Sequence, residues 1–306
     1  MSITRKSNPT SAQTKPSAKR RRRLTLTAYL FLAPALIFLA IFFFTPLVQV
    51  TYYSFTDFDL YNSSFVGGAN YRQLFGDPLF WMSLRKSFIY LLATPILIFL
   101  SLTLAIIVNR QIAGIAFFRA MYFMPAVVSA VAIGMIFDLV FADQGLLNGL
   151  LRQLGLVGRP IPFLQDPDLV LPTIMSVTVW RGVGYYMVMF LAGLQSIPKE
   201  LYEAAQIDGA NVWRQHWHIT VPGLRPIILL VGILSSIAAL KAFDEIFIMT
   251  DGTGGLLNSG LTAMFYLYRQ AFVFNDVGYA SAIAVVFSLI IIVLTAINLR
   301  LGGGNE

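Results

Sequence analysis

Apolar residues along this chain gather into six long runs, roughly 28–50, 88–109, 120–141, 169–193, 226–248 and 277–299, separated by shorter polar stretches. Crossing a hydrocarbon core of about 30 Å takes about 20 helical residues, so each run is long enough to span a membrane as a helix. The pattern predicts an all-α integral membrane protein with six transmembrane helices. The first run is expected to remain as an anchor, because its charged leader is long and Thr45-Pro46-Leu47 continues it without an Ala-x-Ala exit.

Composition agrees. Of the 306 residues 57% are hydrophobic and 12% charged, with a mean hydropathy of +0.71, which is more apolar surface than a soluble fold of this length could bury. Cysteine is absent, which excludes disulfides, thiolate metal sites and a cysteine nucleophile.

Lysine and arginine orient the spans. The leader carries eight of the 22 (Arg5, Lys6, Lys15, Lys19 and Arg20 to Arg23). Placing it inside puts Arg110, Arg119, Lys199, Arg214, Arg225 and Arg300 inside too, 14 in all. The other side keeps six: Arg72, Arg85, Lys86, Arg152, Arg159 and Arg269. Both termini are therefore expected in the cytoplasm. Residues 1–23, rich in Ser, Thr, Lys and Arg, read as a disordered basic leader. Directly before a span, Arg20 to Arg23 read as a topology anchor near anionic lipid and not as a nucleic-acid site. Residues 24–300 form the transmembrane domain, 194–225 a cytoplasmic loop between spans four and five, and 301–306 a tail. Gly145 to Leu151 reads as a short amphipathic helix along the outer interface.

The 194–225 loop holds the most informative motif. Ser196 and Pro198 start a short helix, about 200–208, whose acidic first turn suits the helix dipole, and Gly209 stops it. Leu201, Ala204, Ala205 and Asp208 fall on one stripe, narrow enough for another protein to approach the backbone. A second short helix carries Trp213, His216 and Trp217 on one side before Pro222 and Pro226, giving a helix-turn-helix elbow. An ordinary interfacial helix is the alternative from periodicity alone.

Glu203-Ala204-Ala205, three residues, Gly209, nine residues, then Ile219-Thr220-Val221-Pro222 resembles the EAA loop of ABC importer permeases. Only Val221 departs, standing where that family has Leu. Leu32-Ala33-Pro34-Ala35, Phe118-Arg119-Ala120 through Pro125, Gly145-Leu146-Leu147-Asn148, Ala192 to Pro198 and Tyr266 to Phe272 extend the resemblance over roughly 24–300. They look like the permease subfamily serving sugars, oligosaccharides and glycerol 3-phosphate.

The resemblance implies one permease subunit of a binding-protein-dependent importer in a bacterial or archaeal inner membrane. It would pair with a second, homologous permease, expected to differ in sequence, bind two cytoplasmic ATPase subunits, and receive a sugar or related polyol from an external solute-binding protein. Glu203 and Asp208 would make polar contacts with the ATPase, Ala204, Ala205 and Gly209 would pack closely, Pro222 would fix the elbow, and Ile219 would belong to the same ATPase-coupling set. Pro222 alone also reads as a helix starter. ATP and Mg would sit on the partners. No Gly-x-x-x-x-Gly-Lys-Ser/Thr occurs here, since none of the six lysines follows a glycine. The chain is thus expected to be no enzyme itself and to bind no cofactor or metal, His216 and His218 pointing to different sides of one helix.

Charges inside spans are the second candidate, because a mid-bilayer charge costs at least about 2.5 kcal/mol and needs a partner or water. Lys241, Asp244 and Glu245 are expected on one side of a single helix, either along a sugar path or as a self-neutralising cluster against the other permease. Arg181 in Trp180-Arg181-Gly182-Val183-Gly184-Tyr185 could shape a polar niche where a sugar ring stacks on Trp180 or Tyr185, with Gly182 and Gly184 equally readable as packing sites. Asp244 and Glu245 are also what a proton-coupled secondary transporter would use as relay groups, which is the competing function.

Overall fold

The computed structural model describes residues 18–59, 63–109 and 114–303. Arg110, residues 1–17 of the basic leader and 304–306 of the tail lie outside the described residues. The chain divides into two units, residues 1–52 and 53–306.

In the first unit, helix α1 (Ala18–Leu39) passes through a π-turn (Ala40–Phe44) into α2 (Thr45–Tyr53). The helix begins at Ala18, so the end of the leader, Arg20 to Arg23 included, is helical where the sequence reading has disorder. The π-turn has a local cause. Pro46 has no N–H and its ring would crowd the carbonyl four residues back, so the ladder widens and the Thr45 amide and hydroxyl both donate to Ala40 O, the hydroxyl at 2.9 Å. None of the span Tyr29–Tyr53 is buried within the chain.

The second unit opens with an antiparallel hairpin, β1 (Thr56–Phe58) against β2 (Ser63–Phe65), in which Thr56 faces Phe65. Then come α3 (Ala69–Gly76), α4 (Pro78–Tyr90), α5 (Ala93–Val108), α6 (Ile115–Val127), α7 (Ala130–Phe141) and α8 (Leu146–Gln153). The long α9 (Val170–Ser196) leads through α10 (Lys199–Ile207), α11 (Val212–Gln215) and α12 (Val221–Gly223) to α13 (Arg225–Leu240). The chain closes with α14 (Asp244–Met249), α15 (Ala263–Tyr268) and α16 (Val277–Gly303).

Among the described residues, six helical stretches are long and apolar enough to cross a membrane: Tyr29–Tyr53, Pro78–Val108, Ala130–Gln153, Val170–Ser196, Arg225–Met249 and Val277–Arg300. The number is the expected one, and four boundaries are corrected. The second span starts ten residues early, at Pro78 rather than 88, because Asp77 caps α4 by accepting from Leu79 N at 2.8 Å. The run 120–141 is two helices, not one: Pro125 removes an amide donor from the last turn of α6, and Val128 and Ser129 are extended before α7. The run 226–248 also breaks, at Lys241 to Phe243, where Phe243 has φ −142°. The last helix runs to Gly303, into the expected tail.

Helix α9 organises the interior. Its first half, Val170 to Val177, joins a buried cluster with Phe80, Tyr90, Leu240, Ile246, Phe265 and Ile283. Its second half, Tyr186 to Leu194, joins another with Leu97, Ala105, Leu224 and Val231. With a rise of 1.5 Å per residue these clusters occupy opposite halves of a rod about 40 Å long. Glycines allow the closest helix approaches: a Cβ on Gly184 would lie 1.7 Å from Tyr122 O in α6.

The hairpin end is tied by buried polar groups. Asn70 donates to Ser54 O at 3.1 Å and Thr56 O at 2.9 Å. The Asp77 carboxylate accepts from the hydroxyls of Tyr266 and, at 2.7 Å, Tyr279, which joins α4, α15 and α16. Burial alone would raise the Asp77 carboxyl, but these phenols and the amides of Leu79 and Phe80 outweigh it and hold it below the ordinary value. Burial and the bond to Asp77 push the Tyr266 hydroxyl up to about 12.

Candidate functional sites: an exposed elbow and an interior niche

The elbow begins where α9 ends. Ile197 is extended, Pro198 precedes α10, and no residue of α10 is buried. Gly209 closes this helix with φ +75°: Ala210 N donates to Ala205 O at 2.8 Å and Gly209 N to Gln206 O at 3.0 Å, the paired bonds of a left-handed helix stop. A Cβ at Gly209 would meet nothing of this chain within 4 Å, so within the chain it is the backbone conformation that favours glycine here. Glu203, Ala204 and Asp208 are exposed and Ala205 is half-buried.

Beyond Gly209, Asn211 caps α11 by accepting from Arg214 N at 2.9 Å, and Gln215 donates to Ala210 O at 2.9 Å, closing the turn. The expected second helix is only one turn of α-helix followed by a π-turn, His216–Thr220. The cause repeats that at Pro46. Pro222 has no N–H, and Val221 N reaches back five residues to His216 O. Pro222 therefore widens a helix already under way instead of starting one.

Ile219 is half-buried in the π-turn. Buried Thr220 anchors it: its hydroxyl pairs with Tyr202 OH at 2.9 Å and His216 Nδ1 at 3.1 Å, fastening α10 to the return of the elbow. His218 Nδ1 donates to Arg214 O at 2.9 Å. Trp213, Trp217, Ile207, Val212 and Leu201 are more than half exposed, an apolar patch along the elbow's outer side. Behind α10 a polar cleft of about 800 Å³ is lined by Arg119, Lys199, Tyr202, Glu203, Gln206 and Gln215.

The interior niche lies half-way along α9. A cavity of about 240 Å³ is bounded by Thr94 and Leu97 of α5, Arg181 and Tyr185 of α9, and Ser235 and Ala239 of α13. Arg181 Nη1 stands 2.5 Å from Glu245 Oε1, an ion pair whose side chains are 31% and 8% exposed. This corrects the sequence expectation. The break at Lys241 to Phe243 separates Lys241 from Asp244 and Glu245, so they do not share one helical face. Glu245 is neutralised from α9, 64 residues away in sequence, while Lys241 and Asp244 are exposed.

Trp180 is also displaced. It lies edge-on to Phe137, ring centroids 5.0 Å apart, and lines a separate apolar fissure with Leu100, Tyr122 and Val183, leaving Tyr185 and Tyr186 as the aromatics of the niche. Gly184 is a packing glycine against α6. Gly182 lines the niche and approaches Leu97, whose Cδ1 would lie 2.8 Å from an added Cβ. Sequence reasoning missed the hydroxyls of the niche: Thr178, paired with Tyr90 OH at 2.5 Å, Ser235, bonded to Val231 O at 2.6 Å, and Thr94, whose buried Oγ1 has no partner. Their one signal was hydroxyl residues inside apolar runs.

Comparison with known proteins supplies the family. Residues 83–302 match the sequence family described as binding-protein-dependent transport system inner membrane component. The lactose transport system permease protein LacF of Rhizobium radiobacter is 35% identical over 278 residues, 90% of this chain and 93% of that protein. The arabinooligosaccharides transport system permease protein AraP of Bacillus subtilis (strain 168) is 36% identical over 279 residues, 90% and 88% of the two chains. In fold, a subunit of a bacterial alginate ABC transporter, solved in complex with an alginate pentasaccharide-bound periplasmic protein, superposes with a TM-score of 0.80 at 20% identity over 93% of this chain and 96% of its own. With six apolar spans, a matching fold and relatives along nine-tenths of its length, the chain is a multi-pass membrane protein and belongs to the ABC transporter permeases of the binding-protein-dependent inner membrane family.

Proposed function

We propose that this chain is one permease subunit of a binding-protein-dependent importer that carries a sugar or related polyol across the inner membrane, driven by ATP hydrolysed on partner subunits. The observation that carries the reading is the elbow. The Glu203-Ala204-Ala205 segment stands on a helix with no buried residue, directly after a long span and hydrogen-bonded back toward the next through Tyr202, Thr220 and His216. A helix exposed in this way has its own packing surface unmet, which suits a socket for another protein.

In this reading both termini and the elbow face the cytoplasm, and α10 docks into a groove of an ATPase subunit. Glu203 and Asp208 bond to its surface, Ala204 and Ala205 permit close approach, and the exposed Trp213, Trp217 and Ile207 supply apolar contact. Closure of the ATPase pair on ATP shifts α10, and because Thr220 couples α10 to the π-turn before α13, the shift reaches α9 and α13 together. These two helices wall the niche, so its access changes side. Arg181, Thr178, Tyr185 and Tyr186 offer donors, acceptors and aromatic surface to a polyhydroxylated solute. A second permease completes the path, and an external binding protein delivers the solute to the end that carries the hairpin.

Co-expression with the partner permease and the ATPase tests this. The three are expected to co-purify and to take up sugar with ATP hydrolysis. Uptake that continues with hydrolysis blocked and ion gradients kept overturns the proposal.

A further inference from the structure

We infer that the niche is built for an uncharged saccharide and that Glu245 is the residue that sets this preference, by cancelling the charge of Arg181. The inference rests on the niche being part of the sugar path.

Among the described residues, Arg181 is the one cationic side chain lining the cavity and no carboxylate lines it. A guanidinium carries five N–H donors in a fixed fork, so one bond to Glu245 leaves others free for a solute. Left unpaired, that fork would favour a carboxylate or phosphate, which it grips with two parallel hydrogen bonds. Glu245 pre-empts this. It is 8% exposed and is not among the lining residues, whereas Arg181, 31% exposed, lines the cavity, so the cation is neutralised by a group outside the lining.

The remaining polar residues of the lining are neutral: Thr94, Thr178, Tyr185, Tyr186 and Ser235. These hydroxyls and phenols offer hydrogen bonds without charge, on which a sugar hydroxyl and an anion have equal claim. The remaining charges near the break, Lys241 and Asp244, are of opposite sign and are not among the lining residues. The volume of about 240 Å³ is far above the about 10–15 Å³ that a single water needs, which leaves room for a polar solute. The fold itself does not dictate substrate charge, since a transporter for an acidic polysaccharide shares it. The choice therefore falls to side chains such as this pair.

The test measures binding to the assembled transporter in lipid nanodiscs, with lactose against lactobionate and galactose against galacturonate as size-matched neutral and acidic probes. The native complex is expected to bind the neutral member of each pair at least tenfold more tightly. Glu245→Gln keeps the volume and removes the charge, and is expected to invert the preference by at least tenfold. The double variant R181Q/E245Q removes both charges and is expected to restore the neutral preference, which guards against a single variant that fails to assemble. Unchanged selectivity in Glu245→Gln, or in the double variant relative to Glu245→Gln, overturns the inference and leaves the importer reading standing. A native complex that prefers the acids, or binds none of the four probes, removes the niche assignment, whereas co-purification and ATP dependence decide the importer reading separately.

Discussion

The carbonyl oxygen of Tyr122 lies 1.7 Å from the place a Cβ on Gly184 would occupy, so α6 and α9 meet backbone to backbone at this point. No rotamer change relieves such an overlap. Gly184→Ala is expected to push the helices apart and cost about 1–3 kcal/mol, the range for overpacked interiors, seen as a lowered unfolding midpoint in detergent. Gly182→Ala meets only the flexible tip of Leu97 and should unfold close to the native midpoint. Equal effects from the two would contradict the backbone contact.

At Gly209 the expected outcome separates conformation from space. Any Cβ there has room, but φ +75° costs a non-glycine residue about 1–2 kcal/mol. Gly209→Val should therefore weaken co-purification with the ATPase and lower uptake, while Gly209→Asn, which tolerates this backbone, should retain most of both. If Asn is as damaging as Val, glycine is needed for close contact with the partner.

Pro222→Ala supplies the missing amide at the π-turn. The turn can then contract to ordinary α-helix, rotating α10 against α13. Uptake per ATP hydrolysed is expected to fall with subunit assembly intact, measured by paired transport and ATPase assays in vesicles. Native coupling in this variant would mean that the π-turn transmits nothing.

Asp77 gives a pH dependence with a definite sign. Its carboxyl is held below the ordinary 3.8 in the folded chain, so unfolded chains take up the proton first as pH falls. Its stabilisation is full above about 3.8 and drains away as pH drops through the folded value. Asp77→Asn should lower the unfolding midpoint at neutral pH, and the gap to the native chain should close as the pH goes below about 3.8. A gap that persists in acid would assign the effect to packing rather than charge.

Much of the fold was legible in the sequence because its physics is one-dimensional. A bilayer demands about 20 apolar residues per crossing wherever they fold, so six runs gave six spans. The start of the elbow was legible too, since α10 and its stop at Gly209 depend on residues within a few positions of one another. The interior niche was not. Whether Glu245 answers Lys241 or Arg181 depended on a helix break at Lys241 to Phe243 that hydropathy cannot register, and on a residue 64 positions away brought within 2.5 Å. Trp180 and Tyr185, five apart on one helix, were separated into different cavities by which neighbours α9 acquires on each side. Local sequence determined the spans, the start of the elbow and its φ-dependent glycine. Only packing in three dimensions decided which charges meet, which glycines touch another backbone and which hydroxyls face the niche, because those contacts belong to pairs of helices and to no single stretch of chain.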